Sequence, residues 1–293
     1  MSTQNLSRNH TLELISITEE LPTLPDRFFK IQHVLNDPHS NAGDVANVVK
    51  TDQATSVMIM KIANSPAYNP MNKPISQLPQ AIARLGATET ADIALSMSLL
   101  YGFAIPAGMV VIRSFWAHAY AVGLLSKHLV KKLPDPNTAP DPETMFLAGL
   151  LHDIGRAILG VRVDLSYFEK AQFDNDGEDL TKAEESDYGV NHAEAGAIIL
   201  TKWGMPDEII EIVKDHHNQE VTMGSKICAI ANSFANEHLK HHDNIERVHT
   251  KLAGGLFERA EKILQDEGLI PVDEELVTMD DHLITLDDRS QKN

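Results

Sequence analysis

Positive charge is scarce in this sequence of 293 residues: 25 lysines and arginines stand against 42 aspartates and glutamates, leaving a formal net charge of −17. Such an excess repels the phosphate backbone of nucleic acid and anionic lipid surfaces, so neither direct nucleic-acid binding nor a membrane role is expected. Cysteine is almost missing. The single Cys228 has no intramolecular partner for a disulfide and sits in KICAIAN, an apolar helical pattern. No stretch approaches the roughly 20 apolar residues that a membrane-spanning helix needs. The N-terminal MSTQNLSRNH has no apolar core of a signal peptide, and the expected location is the cytoplasm. Glycine-rich phosphate loops, a G-x-S-x-G element and zinc-type cysteine pairs are absent as well. These absences remove P-loop nucleotide binding, nucleophile-elbow hydrolysis and cysteine-based zinc sites.

Alternation of apolar and polar residues over strand length is nearly absent too, whereas apolar residues recur at helical spacing, which predicts an all-α protein. After a short helix near 11–19, Pro22 and Pro25 mark the start of a helix whose inner face is Phe28, Ile31, Val34 and Leu35, ended by Asp37-Pro38. Val45, Val48 and Val49 form the inward side of the next. In DQATSVMIMKIANSPAYNP the apolar positions are Val57, Met58, Met60, Ile62 and Ala63, with Ser65-Pro66 as the stop. Two further helices meet at Gly86, a suitable C-terminal cap. A break near Ile105-Pro106-Ala107-Gly108 precedes a long helix through VIRSFWAHAYAVGLLSKHLVKK and the proline-rich connector LPDPNTAPDP. Next come one helix through ETMFLAGLLHDIGRAIL, a polar stretch, the helices NHAEAGAIILTKW and MPDEIIEIVKDHH, and an amphipathic pair at 225–240 and 245–264. The expected organisation is two-lobed: a helical lobe over 1–106, a second over 107–264, and an acidic tail over 265–293 that holds nine acidic and two basic residues.

The chain has 14 histidines, and their placement separates them. His128, His238, His241 and His242 stand among polar residues and read as solvated surface groups. The pair His152-Asp153 differs, because a carboxylate inside LAGLLHDIG is costly to bury without a partner. Adjacent imidazole and carboxylate groups supply a nitrogen and a hard oxygen to one metal if other helices bring further ligands. The candidates are His118 in FWAHAYAVG, His192 in VNHAEAG, and His216 and His217 in VKDHHN. Small neighbours such as Ala117, Ala119, Ala193 and Gly196 permit close helix approach. Each histidine also has a plainer reading: His118 as a hydrogen-bonded core residue, His192 as a first-turn residue behind the cap Asn191, and His216 and His217 as groups favoured by a helix C-terminus.

The order His118, His152-Asp153, His192, His216-His217 resembles the HD superfamily, particularly the HD-GYP phosphodiesterases. Together with LPTLP, DQATSVMIMKIANSPAYN, AIARLG, FWAHA, AGLLHDIGR and HAEAGAIILTKWGMPDEI, it resembles the HDOD family, HD-related output domains of bacterial signalling proteins, from about Leu21 to about Glu237. The resemblance implies an HD-domain-like bundle and a metal site in which His118, His152, Asp153, His192, His216 and His217 are the ligands. In active HD-GYP relatives, a closing aspartate completes the first metal position. The corresponding residue here is Asn232, a poor ligand for a hard cation, and the GYP loop after the paired histidines is missing. The first position is therefore expected to be damaged, and a second, built from Asp153, His192, His216 and His217, to remain.

The resemblance thus implies a signalling or regulatory module that acts through a protein partner, with one divalent ion of iron, manganese, magnesium or zinc. Its alternative is a metal-dependent phosphohydrolase acting on a nucleotide or phosphate ester, with Asp153 and Arg156 in catalytic roles. Arg156, one turn beyond Asp153, matches a basic residue that contacts phosphate in relatives; its plainer role is a salt bridge to a neighbouring carboxylate. A cyclic-nucleotide sensor that binds without cleaving would use Arg156 and the same cavity. No attached receiver or output domain is seen, so the chain is expected to act alone or by association.

Overall fold

The computed structural model describes residues 7–16, 26–37, 39–102, 108–135, 139–170, 178–218, 222–239 and 243–271. Among them there is no strand. The N-terminal helices are α1 (Arg8–Ser16), α2 (Asp26–Asn36), α3 (Ala42–Val49), α4 (Gln53–Ala63), α5 (Leu78–Leu85) and α6 (Ala87–Gly102). Phe28, Ile31, Val45 and Val49 are buried as their spacing predicts. On α4 the buried stripe is Thr55, Ile59, Ile62 and Ala63, which turns Val57 outward to 49% exposure, contrary to its expected apolar role. Spacings of three and four residues select one face of a helix, and Val57 falls off it. Gly86 adopts φ 91° between α5 and α6, a conformation that favours glycine. Pro22, Pro25, Pro38, the 103–107 break and residues 272–293 of the acidic tail lie outside the described residues.

A 22-residue helix, α7 (Met109–Val130), is the spine of the C-terminal part of the fold. It packs along α8 (Pro142–Leu151), α14 (Met223–His238), α15 (Ile245–Lys251) and α16 (Phe257–Asp266). The remaining helices are α9 (Ile154–Ile158), α10 (Tyr167–Lys170), α11 (Glu178–Tyr188), α12 (His192–Lys202) and α13 (Asp207–Lys214). α9 and α13 both pack on α12, while α4 meets α15 and α6 meets α7. α1 does not stay with its sequence neighbours. It lies against α12, where Arg8 Nη1 pairs with Glu194 Oε2 at 2.7 Å and Lys202 Nζ reaches Ser16 O at 2.7 Å.

Four sequence expectations change here. The helix expected through ETMFLAGLLHDIGRAIL is broken: α8 ends at Leu151, Asp153 has φ −97° and ψ 9°, and α9 restarts at Ile154 before a π-helical turn, Leu159–Val163. Those angles lie in the sparsely populated bridge region, where many functional residues sit. The run Pro142–Val163 nevertheless has the length and hydropathy of a membrane span, contrary to the sequence reading, and 89% of its most apolar window is buried inside the fold. The expected 245–264 helix is likewise interrupted at Gly254 and Gly255, the latter at φ 116°. Finally, the polar stretch before Asn191 contains α11, whose acidic composition hid its buried Leu180 and Glu184.

Two close helix crossings set the geometry of the interior. A Cβ on Gly149 would lie 2.8 Å from Gly123 Cα, so α7 and α8 meet glycine to glycine. A Cβ on Gly155 would lie 1.8 Å from His192 O and 2.6 Å from Gly196 N, so α9 touches the backbone of α12 directly. No side chain fits between them.

Candidate metal centre

The break at Asp153 changes what the histidine–aspartate pair can do. Adjacent side chains on a continuous helix project about 100° apart. With α8 ended, His152 turns its Nδ1 back to Gly149 O at 2.8 Å, and its Nε2 lies 3.6 Å from Asp153 Oδ2. Both residues are at most 1% exposed. α12 brings His192 Nε2 to 3.4 Å from Asp153 Oδ1, and the turn after α13 brings His216 Nε2 to 4.0 Å from the same oxygen. His217 Nε2 lies 2.8 Å from His192 Nε2, while His192 and His216 present their Nε2 atoms to each other at 3.4 Å. His118, half-buried on α7, faces the ring of His152 at a centroid distance of 5.3 Å. The fold thus gathers all six sequence-selected residues into one interior cluster.

Backbone contacts settle which nitrogens face inward. A carbonyl oxygen only accepts, so the Nδ1 of His152 donates to Gly149 O and that of His216 donates to Val213 O at 2.6 Å. Their Nε2 lone pairs are left toward Asp153. His192 is held differently: its Nδ1 is 2.7 Å from Glu184 Oε2, and its backbone N–H donates to the same oxygen at 2.8 Å. Tyr167 OH donates to Glu184 Oε1. Glu184, 2% exposed, escaped the sequence reading because it lies in a polar, acidic helix. Only the tertiary fold brings it against His192.

In their protonated forms the surrounding imidazoles, with Arg156 beside Asp153, act on the two buried carboxylates. Burial alone would push the Asp153 carboxyl up, but His152, Arg156, His192 and His118 outweigh it and hold the group well below the usual carboxylate range. Burial would also raise Glu184, yet the charge of His192 and the hydrogen bonds from His192 and Tyr167 keep it below its ordinary value. His216 is pushed down to about 3, chiefly by burial and also by His152 and His192 against the pull of Asp153, which leaves it neutral near pH 7. Arg156, 2% exposed, donates from Nη1 to Asp153 Oδ2 at 3.1 Å, so the salt-bridge role foreseen for it is occupied.

The cluster passes a direct test of fit to a cation. Among the described residues Asp153 Oδ1 accepts no hydrogen bond although it is fully enclosed, a costly arrangement without a cation or donor. His192, His216 and His217 offer ligand nitrogens within 4.8 Å of one another, and His118, His152 and Asp153 do so as a second group. Neighbouring ligands on one first-row ion, each at about 2.0–2.2 Å, stand about 3 Å apart, close to the spacings of the first group. In the second group the neighbour of His118 Nε2, at 2.9 Å, is the neutral amide oxygen Oδ1 of Asn232 and not a carboxylate.

Two other histidines depart from the surface reading. His128 stacks on Phe257 at 4.3 Å and pairs with Glu261 at 2.6 Å, and His238 stacks on Phe234 at 4.0 Å. His241 and His242 lie outside the described residues. His249, not singled out in the sequence, is 2% exposed and bonded to both Tyr120 and Tyr68. An open groove of about 830 Å³ lies elsewhere, between α4 and α15, with Val57, Met60 and Pro66 along it and no member of the histidine cluster.

The chain is a helical bundle in which imidazoles and a carboxylate converge at a helix break. Residues 21–219 match the HDOD domain, and the chain belongs to the HDOD family. A protein of Treponema pallidum (strain Nichols), itself uncharacterized, is 24% identical over 205 residues; the match covers 68% of this chain but only 38% of that protein's length. An HDOD domain protein with unknown function from Geobacter sulfurreducens superposes with a TM-score of 0.59 at 22% identity, covering 90% of this chain and 99% of its own. A candidate phosphohydrolase from Shewanella amazonensis SB2B gives 0.60 at 19% identity, covering 86% and 93%. A candidate signal transduction protein from Marinobacter aquaeolei VT8 gives 0.54 at 18%, covering 92% and 67%. At these identities the likeness establishes the fold.

Proposed function

We propose that this HDOD chain is a bacterial cytoplasmic signalling module that holds one divalent ion in a partly degenerate HD site and acts through a protein partner. The observation that carries this reading is the hydrogen bond between His118 and Asn232. An amide carries no charge, and its oxygen, engaged by the imidazole, is a weak substitute for a carboxylate on a hard cation. Asp153, His192, His216 and His217 remain as the ligands of the single ion, with His152 beside them. Bound there, a divalent ion would supply Lewis-acid polarisation and a lowered pKa for water. The chain's own residues do the rest: His152 and His216 keep fixed tautomers, and Arg156 orients Asp153.

Elemental analysis of the purified protein, with Asp153→Ala and His216→Ala alongside, tests this reading. The expected result is about one ion per chain, lost in both variants, and no hydrolysis across a panel of nucleotides and phosphate esters supplied with Mn²⁺, Fe²⁺ or Mg²⁺. Steady phosphodiesterase activity that vanishes in Asp153→Ala overturns it. That outcome would favour the second reading, a metal-dependent phosphohydrolase, which the convergence of His192, His216 and His217 on Asp153 and the fold shared with the Shewanella amazonensis protein support. In that reading Asp153 holds the ion, and Arg156, which meets Asp153 through Nη1, contacts a substrate phosphate with its guanidinium.

A further inference from the structure

His152 and His216 lean on main-chain carbonyls, which are present in any helix. His192 leans on a carboxylate brought from another helix, and that carboxylate is itself held. Glu184 Oε2 accepts from both the backbone N–H and the ring Nδ1 of His192, at 2.8 and 2.7 Å, while Oε1 accepts from Tyr167 OH. All three residues are at most 2% exposed. The carboxylate therefore fixes the position of the first turn of α12 and the orientation of the ring together. Because an ionised carboxylate only accepts, it also fixes the neutral tautomer: the proton resides on Nδ1, and Nε2, which faces Asp153, His216 and His217, carries the lone pair whenever the ring is neutral. A charged acceptor behind an imidazole raises its basicity toward a cation in front of it.

We propose that Tyr167 and Glu184 are positioning residues for His192, forming a buried relay that sets its tautomer and gives the His192–His216–His217 position its affinity for a divalent ion. The inference rests on the metal reading above for its affinity part, but its tautomer part stands without any ion. The relay also explains an otherwise costly feature. A glutamate interred beside a tyrosine and a histidine is stable only when its oxygens are satisfied, and here each oxygen has a donor. α11, which carries Glu184, thereby becomes part of the site although it contributes no ligand. Metal binding should accordingly steady α11 as well as the ligand-bearing helices.

The test uses the full chain with Glu184→Gln, which is isosteric, and Tyr167→Phe, which removes only the hydroxyl. In metal-free protein, ¹⁵N-imidazole NMR is expected to show His192 as the Nδ1–H tautomer, and Glu184→Gln is expected to disturb that assignment. Titration with Zn²⁺ or Mn²⁺ is expected to show roughly 10- to 100-fold weaker binding in Glu184→Gln, and a smaller loss in Tyr167→Phe. If Glu184→Gln does not fold, Tyr167→Phe carries both measurements. Wild-type tautomer and affinity in the folded Glu184→Gln variant would overturn the relay. Wild-type protein that binds no metal would sink the metal reading, while the tautomer in the metal-free spectrum would still decide for or against the relay.

Discussion

The Nε2 of His118 lies 2.9 Å from Oδ1 of Asn232, so a histidine at the half-buried edge of the cluster is tied to an amide on α14. The three imidazoles of His192, His216 and His217 face one another with ligand nitrogens inside 4.8 Å. The two groups thus differ in what stands beside them: an amide next to His118, and imidazoles and Asp153 around Nε2 of His192.

Replacing the amide with a carboxylate should favour a metal ion on the His118 side. Asn232→Asp places a charged oxygen against His118, next to His152 and Asp153. The expected outcome is a bound-metal stoichiometry above that of wild type, measured by elemental analysis after equilibration with Mn²⁺. An unchanged stoichiometry would show that something other than residue 232 limits that side.

Metal should act as a folding ligand. An ion at about 100 times its Kd stabilises the native state by about 2.7 kcal/mol, which for a chain of this size raises Tm by about 4 °C. Wild type should show that rise on adding metal and lose it with a chelator. His192→Ala and His216→Ala should show none, and a full rise in either would remove that residue from the ligand set.

The crossing of α9 and α12 leaves no space for a methyl group. In Gly155→Ala the new Cβ would press on His192 O and Gly196 N, both backbone atoms that cannot rotate away. Overpacking of this kind should cost about 3 kcal/mol or more in urea unfolding. Displacement of α12 should also weaken metal binding, since His192 is its first residue. A variant of wild-type stability would mean that the two helices do not touch in solution.

His249 should give acid sensitivity unrelated to the metal site. Burial lowers its pKa from 6.5 to about 4, so it is neutral in the folded state, with Tyr120 OH at 2.6 Å, Tyr68 OH at 2.8 Å and Glu89 at 3.4 Å around it. The unfolded chain binds the extra proton between pH 6.5 and 4, so stability rises with pH across that window and is lost as pH falls through it, by roughly 3 kcal/mol. Glu89, raised by burial, works in the opposite direction. The His249 contribution is therefore read as the difference between wild type and His249→Gln in unfolding experiments from pH 4 to 7. Parallel curves would contradict it.

The sequence by itself determined the helical class, most helix limits and the identity of the clustered histidines. Helical periodicity is local, and caps such as Gly86 act within a turn, so α2, α3, α5, α6 and α7 are legible from residues that lie side by side. The order of His118, His152-Asp153, His192 and His216-His217 was legible because it recurs in a family. Only the tertiary structure decided the rest. Whether α8 continues through His152 depends on its surroundings, since the segment is apolar on every side and its periodicity marks no stopping point. Glu184 sits in a helix of polar composition, and nothing nearby in sequence distinguishes it from the exposed Glu185 beside it. Its importance comes from facing a buried imidazole eight residues away across a turn, where each of its oxygens finds a donor. The two sides of the cluster differ for the same reason: Asn232 lies 114 residues from His118, and their hydrogen bond exists because α14 packs on α7.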